Sequence, residues 1–239
     1  MKLIKKTDNK IVFQAEVEES LANAIRRYLN QILVLAVDEV EISKNDSPLY
    51  DETVAHRIGL VPLQTSKAAG EKTTTELKLS VKKEGIVYAK EFEGKAKIVY
   101  SETPITTLEK GQELELVATA RTGKGETHSK FAPGLMFYRN IFDIKIDGDC
   151  PKEVVDVCPK KILESKDGKI VAIDVSKCDL CEVCLEFCGK KKKDSIKITP
   201  TKDLMITIES FGQLNTEDMI QKSIEVLKKD LADVGKGLK

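Results

Sequence analysis

The chain has 239 residues and a formal net charge of zero, because 39 Lys and Arg residues balance 39 Asp and Glu residues. A protein whose main task is to hold nucleic-acid phosphates is normally basic, so this balance argues against that class. Hydrophobic residues make up 41% of the chain, enough for a folded core in one large domain or two to three small ones. The longest apolar run, Ile32–Val37, is far shorter than the ~20 residues needed to cross a bilayer.

The first residues contain no apolar segment of signal-peptide length. We therefore expect a cytoplasmic protein. In that reducing compartment the six cysteines favour metal ligation over disulfide bonds.

The N-terminal part of the sequence predicts a strand and then a helix. Alternating apolar residues predict a half-buried strand at Ile11, Phe13, Ala15 and Val17. The next apolar residues have the spacing that stacks side chains on one helix face, and they are Leu21, Ile25, Tyr28 and Ile32. Ser20 stands at the N-cap position of this helix. Because Ile32–Val37 adds more apolar surface, we expect the helix and this run to be buried against protein surface beyond their own domain.

The middle of the sequence predicts one short helix followed by antiparallel strands. Asp51–Arg57 has helical character, and Gly59 is expected to end it. Asp51, Glu52, His56 and Arg57 could form a catalytic cluster, but an exposed face with salt bridges is the favoured interpretation. Apolar alternation from Thr75 to Ala120 indicates strands, with turns at Gly85, Gly94 and Gly111. The segment Arg121–Lys130 is expected to be a loop.

The C-terminal part predicts strands at Ser195–Ile198 and Leu204–Ile208, a turn at Glu209–Gly212 and a final helix. Asn215 or Thr216 would cap this helix, and Gly235 would end it. One apolar face of the helix is predicted from Ile220, Ile224, Leu227 and Leu231.

Two charged segments invite functional interpretations. Asp147-Gly148-Asp149 resembles part of the aspartate cluster that holds magnesium in polymerases. That site needs three carboxylates, and this segment has two, so we expect a turn that joins domains. The run Lys190–Lys193 is expected to be a solvated loop rather than a nucleic-acid contact.

The cysteines carry the most specific chemical pattern. Cys178, Cys181, Cys184 and Cys188 form C-x2-C-x2-C-x3-C, the spacing of iron–sulfur ligands in bacterial ferredoxins. Zinc also uses C-x2-C pairs, so a zinc site remains an alternative.

The crossed ligation of two-cluster ferredoxins predicts which thiols act together. There the fourth cysteine of each run binds the other cluster, and Cys158-Pro159 has the form of the end of an earlier run. The companions of Cys158 would stand at positions occupied by Gly148, Pro151 and Val154, so three ligands of that run are missing. We therefore predict one cluster, with its ligands at Cys158, Cys178, Cys181 and Cys184. Cys150 and Cys188 are left over as extra cysteines or disulfide partners.

Four segments together resemble the alpha-like subunits of RNA polymerase, with the archaeal D-type members as the nearest match. They are L-A-N-A-I-R-R-Y-L (residues 21–29), D-E-T-V-A-H-R-I-G-L-V-P-L (residues 51–63), G-E-T-H-S-K-F-A-P (residues 125–133) and I-T-I-E-S-F-G (residues 206–212). The resemblance implies an α+β fold in which both chain ends build a dimerisation domain, residues 1–43 and 196–239. An antiparallel β-rich domain (residues 44–146) and a ferredoxin-like iron–sulfur domain (residues 147–195) would be inserted into it.

The resemblance also implies a non-catalytic assembly subunit of a DNA-directed RNA polymerase, which is a nucleotidyltransferase. Its partners would be the small alpha-like subunit, as a heterodimer, the large catalytic subunits and other small subunits, with little or no direct DNA contact and no membrane contact. The apolar residues of the first and last helices would bind the partner. Some family members carry a ferredoxin-like domain with two clusters, one or none, so the implied cofactor is one [4Fe-4S] cluster, with [3Fe-4S] as the other possibility if Cys181 turns away. A ferredoxin-like electron-transfer protein is the alternative function.

Overall fold

A computed structural model describes residues 1–147, 150–191 and 195–238 and has a mixed α+β fold. The helices within these ranges are α1 (Glu19–Tyr28), α2 (Asp51–Gly59), α3 (Val154–Val157), α4 (Val183–Lys190) and α5 (Thr216–Gly237). Short 3₁₀ turns lie at Leu29–Gln31, Ala89–Glu91, Ser129–Phe131 and Val175–Lys177. No helix in the described part of the chain is long and apolar enough to cross a bilayer.

The strands in the described ranges are β1 (Lys2–Thr7), β2 (Lys10–Glu16), β3 (Leu33–Asn45), β4 (Thr74–Val81), β5 (Gly85–Tyr88), β6 (Glu93–Gly94), β7 (Pro104–Leu108), β8 (Leu114–Lys124), β9 (Gly134–Ile146), β10 (Leu163–Lys166), β11 (Lys169–Ala172) and β12 (Ile196–Ser210). They form sheets with the orders β1-β2-β12-β9, β3-β8-β4-β6, β5-β7 and β10-β11. The β3-β8, β4-β8, β4-β6, β5-β7 and β10-β11 pairs are antiparallel. These pairs confirm the predicted antiparallel sheets.

The chain divides into two compact units. The first unit consists of Met1–Ile4, Val12–Glu19 and Tyr138–Ile206. The second unit consists of Lys5–Ile11, Ser20–Phe137 and Thr207–Lys239. The three predicted domains and their boundaries stay a prediction.

The core of the second unit is built on strand β8. Its alternating residues Leu114, Leu116, Ala118 and Ala120 are all buried, as their spacing predicts. On one side β8 pairs with β3, and on the other it pairs with β4, whose Leu77 and Leu79 lie in the same core. Helix α2 packs against β3 and adds Val54 and Ile58 to the core. These elements therefore bury one continuous apolar cluster.

The structure corrects the predicted end of the first helix. Helix α1 ends at Tyr28, and a 3₁₀ turn leads into β3 at Leu33, so Ile32 does not belong to the helical face. The apolar run that follows is the buried start of strand β3. The sequence did not reveal this, because a short apolar run without helical periodicity fits either a helix or a strand. Helix α1 begins at Glu19, which places Ser20 inside its first turn rather than at the cap.

Several other boundaries also differ from the predictions. Strand β8 continues to Lys124, so the predicted loop begins later, and Glu93–Gly94 is a short strand paired with β4 rather than a turn. Strand β12 is continuous where two strands were predicted. Helix α5 runs to Gly237, past the predicted stop, whereas the side chain of Asn215 caps its start as predicted.

A bulge at Asp38 of β3 organises a charged cluster in the second unit. The register of β3 against β8 shifts between Val37 and Glu39, and the Asp38 carboxylate accepts hydrogen bonds from Lys130 (2.6 Å) and Arg121. These two cations hold the pKa of the Asp38 carboxyl below its ordinary value, with Arg121 as the larger cause. Both cations also lie over the ring of Phe131, at 5.1 Å for Lys130 and 6.0 Å for Arg121. The bulge is therefore held by ionic and cation–π contacts together.

We expect Asp38→Asn to lower the free energy of unfolding by about 1 kcal/mol at neutral pH. Because the folded-state pKa lies below the unfolded value of about 3.9, the contribution is complete above that value and is lost as the pH falls through the lowered folded-state pKa. Urea unfolding at neutral and strongly acidic pH measures both effects. Glu41→Gln, an exposed charge change on the same strand, is the matched control. A difference from wild type that persists in strong acid would contradict the ionic explanation.

Candidate metal centre and assembly surface

Four cysteines line one cavity in the first unit. They are Cys158, which follows α3, and Cys178, Cys181 and Cys184, which lie in the loop before α4 and in its first turn. The cavity is narrow, with a volume of ≈ 20 Å³. Its apolar walls are Ile144, Ile162, Leu163 and Ile198, and its polar rim is Lys160, Asp179 and Glu182.

The four thiols differ in their exposure to solvent. Cys158 and Cys178 are buried, Cys184 is half-buried and Cys181 is exposed. Burial raises the pKa of the Cys184 thiol above its ordinary value, and the nearby thiols of Cys158 and Cys181 raise that pKa further.

The backbone around Cys181 is strained. Leu180 and Glu182 have φ angles of 56° and 59°, in the left-handed region that residues other than glycine rarely adopt. Each costs about 1 kcal/mol or more unless the surroundings compensate for it. Left-handed residues next to residues with negative φ are also the pattern of backbone nests, which surround anions and many iron–sulfur sites. The loop therefore curves around the cavity at a conformational cost.

Charged side chains hold the start of this loop. The Asp179 carboxylate pairs with Lys160 at 3.3 Å, and this contact lowers the pKa of the Asp179 carboxyl, with a smaller contribution from the Cys181 thiol. From strand β9, Arg139 donates hydrogen bonds to the backbone carbonyl oxygens of Cys178 (2.6 Å) and Ser176. No local sequence motif indicates Arg139, because it lies 39 residues before Cys178.

The two remaining cysteines lie away from the cavity lining. Cys188 is 1% exposed on α4 and belongs to the same core cluster as Val154 of α3. Cys150 is partly buried at the edge of this core. Over residues 1–147, 150–191 and 195–238, no group of three or more His, Cys, Asp and Glu side chains is placed to hold a metal ion. The assignment of the four ligands therefore stays a prediction.

The predicted partner-binding residues lie on α1, α5 and the turn after α1, all in the second unit. Leu21 and Leu231 are exposed, at 48% and 62%, whereas Leu227 and Ile32 are buried, at 9% and 1%. Ile25, Tyr28, Ile220 and Ile224 are half-buried. The Asp230 carboxylate on α5 raises the pKa of the Tyr28 hydroxyl through a hydrogen bond, which places the end of α1 beside α5. Ile32 is enclosed by the chain itself, while Leu21 and Leu231 are open to a partner.

On α2, two of the four residues of the predicted cluster make single hydrogen bonds. Arg57 donates to the carbonyl oxygen of Ile105 at 2.6 Å, and Asp51 accepts from Asn45 at 2.7 Å. Among the described residues these are bonds to a backbone carbonyl and to an amide, not the salt bridges of the favoured interpretation. Of the Asp147-Gly148-Asp149 segment only Asp147 is described; Gly148 and Asp149 lie outside the described residues, as do Lys192 and Lys193 of the lysine run.

Comparison with known proteins gives a consistent result over nearly the whole chain. Residues 40–136 match the sequence model of the family described as RNA polymerase Rpb3/RpoA insert domain. The chain is 31% identical to the DNA-directed RNA polymerase subunit Rpo3 of Thermococcus kodakarensis, over 95% of this chain and 92% of that protein. It is also 31% identical to the Rpo3 subunit of Pyrococcus horikoshii, over 95% and 93%, and 30% identical to that of Methanosphaera stadtmanae, over 93% and 92%.

Proposed function

Because the chain belongs to the alpha-like subunit family of archaeal RNA polymerase that includes Rpo3, we propose that it serves as the assembly subunit of such a polymerase, in the position of the archaeal D-type members. In this proposal it pairs with the small alpha-like subunit and holds the large catalytic subunits and other small subunits. The chain itself contributes no catalytic residue. A free electron-transfer protein is not favoured, because the similarity to polymerase subunits extends over 95% of the chain.

One observation carries the assembly role: the C-terminal part of helix α5 leaves apolar side chains uncovered. Leu227, Leu231 and Val234 follow the spacing of one helix face, and although Leu227 is buried, Leu231 and Val234 are each 62% exposed. An amphipathic helix normally covers its apolar face, so these uncovered side chains fit the interface of an obligate dimer. Leu21 of α1, at 48% exposed, adds apolar surface in the same unit.

For the cysteine cavity we propose one iron–sulfur cluster held by Cys158, Cys178, Cys181 and Cys184. Thiolates are the ligands of such clusters, and these four thiols line one cavity with apolar walls. The strained, nest-like backbone at Leu180 and Glu182 fits an anionic occupant. The exposed Cys181 would be the most accessible ligand, so a [3Fe-4S] cluster on the other three thiols remains within the proposal. Zinc, which accepts four thiolates too, is an outcome of the test.

The core between α3 and α4 supports one cluster rather than two. Val154 occupies the position of a missing ligand in the first cysteine run, and it is completely buried. Cys188, which would have faced that second cluster, is buried in the same core. The burial of Val154 and Cys188 in apolar packing supports the proposal of a single cluster.

The proposed role of the cluster is structural. The cysteine segment has about 45 residues, a size at which a domain normally needs a metal or disulfide to be stable. Three of the eight buried residues in its core are cysteines. When bound, the cluster would supply the binding energy that joins Cys158 to the later loop.

The assembly role predicts that Leu231→Asp abolishes pairing with the small alpha-like subunit without unfolding the chain. The side chain is 62% exposed in the isolated chain, so its loss removes little core, but a charge would be buried in the interface. Co-expression followed by affinity capture measures the pairing. Lys229→Gln, with the same change of net charge on an exposed position of α5, is the control. Normal capture of the small partner by Leu231→Asp would refute this interface.

The ligand assignment predicts opposite outcomes for two buried cysteines. Cys158→Ala should lose iron, because it removes a ligand from the cavity, whereas Cys188→Ala should keep the wild-type iron content. Both changes remove a buried thiol and leave a methyl side chain, so each variant is the control of the other. Iron and zinc are counted per chain after anaerobic purification. If Cys188→Ala loses iron and Cys158→Ala keeps it, the local cysteine run closes on itself and the assignment is wrong.

A further inference from the structure

The strongest unexplained contact near the cysteine cavity is made by a side chain outside the cysteine segment. Arg139 lies on β9 and is half-buried. Its guanidinium donates through one nitrogen to the Cys178 carbonyl oxygen at 2.6 Å and through the other to the Ser176 carbonyl oxygen. Two parallel donors on one rigid plane fix two acceptors at once, which a single donor does not do.

The segment that Arg139 holds depends on few other contacts. The 3₁₀ turn Val175–Lys177 has two backbone hydrogen bonds, from Cys178 N to Val175 O and from Lys177 N to Asp174 O, each at 3.1 Å. The Asp174 carboxylate accepts from the Ser176 hydroxyl and pairs with Lys177 at 3.0 Å, but these contacts stay within the turn itself. The hydrogen bonds from Arg139 connect this turn to strand β9, whereas the other hydrogen bonds described above stay within residues 174–178.

The held turn determines where the first thiol of the run points. Cys178 follows the turn directly and is 7% exposed, and the strained residues Leu180 and Glu182 begin two positions later. Strain in a short loop persists only when the surrounding structure fixes its ends. Arg139 fixes the end at Cys178, and the start of α4 fixes the other end.

We infer that Arg139 is a positioning residue of the cysteine site, which holds the Ser176–Cys178 backbone so that the Cys178 thiol stays buried in the cavity. This inference rests on the proposed iron–sulfur site for its effect on iron, but its effect on the thiol does not need iron. The guanidinium also places a positive charge beside a site that would hold four thiolates.

The test uses the full chain with Arg139→Gln, which keeps a polar side chain but loses the paired donors and the charge. In the iron-free, reduced chain, Cys178 should react with a thiol-alkylating reagent about 10-fold faster or more than in wild type, while Cys188 should keep its slow rate. In the iron-loaded chain, release of iron to a chelator should become about 10- to 100-fold faster, the usual effect of removing a residue that orients a ligand. Arg139→Lys should be intermediate, because it keeps the charge but not the paired geometry.

Lys145→Gln is the matched control, since it removes one exposed positive charge from the same strand. Wild-type protection of Cys178 in Arg139→Gln would overturn the inference whatever the iron result. Equal acceleration at Cys178 and Cys188 would overturn it too, because Arg139 would then stabilise the whole core rather than position one thiol. A wild-type chain purified anaerobically with no iron would refute the proposed cluster, and the alkylation rates would still decide the role of Arg139.

Discussion

The pairing of β3 with β8 is the interaction on which the second unit depends. It pairs Leu33 with Lys124 at one end and Asn45 with Leu114 at the other. Helix α2 and strands β4 to β7 lie in the long loop of chain between the two paired strands. Closing so long a loop costs conformational entropy, and the apolar cluster that the enclosed elements share offsets this cost. The bulge at Asp38 lies within the same pair of strands. The Asp38 carboxylate there pairs with Lys130 and Arg121.

The sequence predicted the elements whose periodicity is clear, and it failed where two periodicities compete. The buried alternation of β8 and the cap at Asn215 follow directly from residue patterns. The run Ile32–Val37 does not specify helix or strand by itself, and only its pairing with β8 decides between them. Strand β1 was missed because all its residues are exposed, so it lacks the half-buried alternation that marks a strand.

The cysteine site shows the same division between local and distant information. The rule of crossed ligation predicts that Cys158 acts with a run that starts twenty residues later, and all four predicted thiols line one cavity. The same rule leaves Cys188 out of this set, and the structure places Cys188 in the core on α4. Arg139 could not be found in this way, because a side chain that binds backbone carbonyl oxygens leaves no pattern in the residues it contacts.

The contrast between the two halves of this core is an argument for an occupant of the cavity. At the missing site, Val154 and Cys188 are packed with almost no exposed surface. At the remaining site the chain keeps a cavity and two left-handed residues, Leu180 and Glu182. The two backbone conformations cost about 1 kcal/mol or more each unless a compensating interaction is present. The proposed cluster would supply such an interaction, because the free energy of binding a metal is larger than these costs. The strained loop and the buried thiols would then have one explanation.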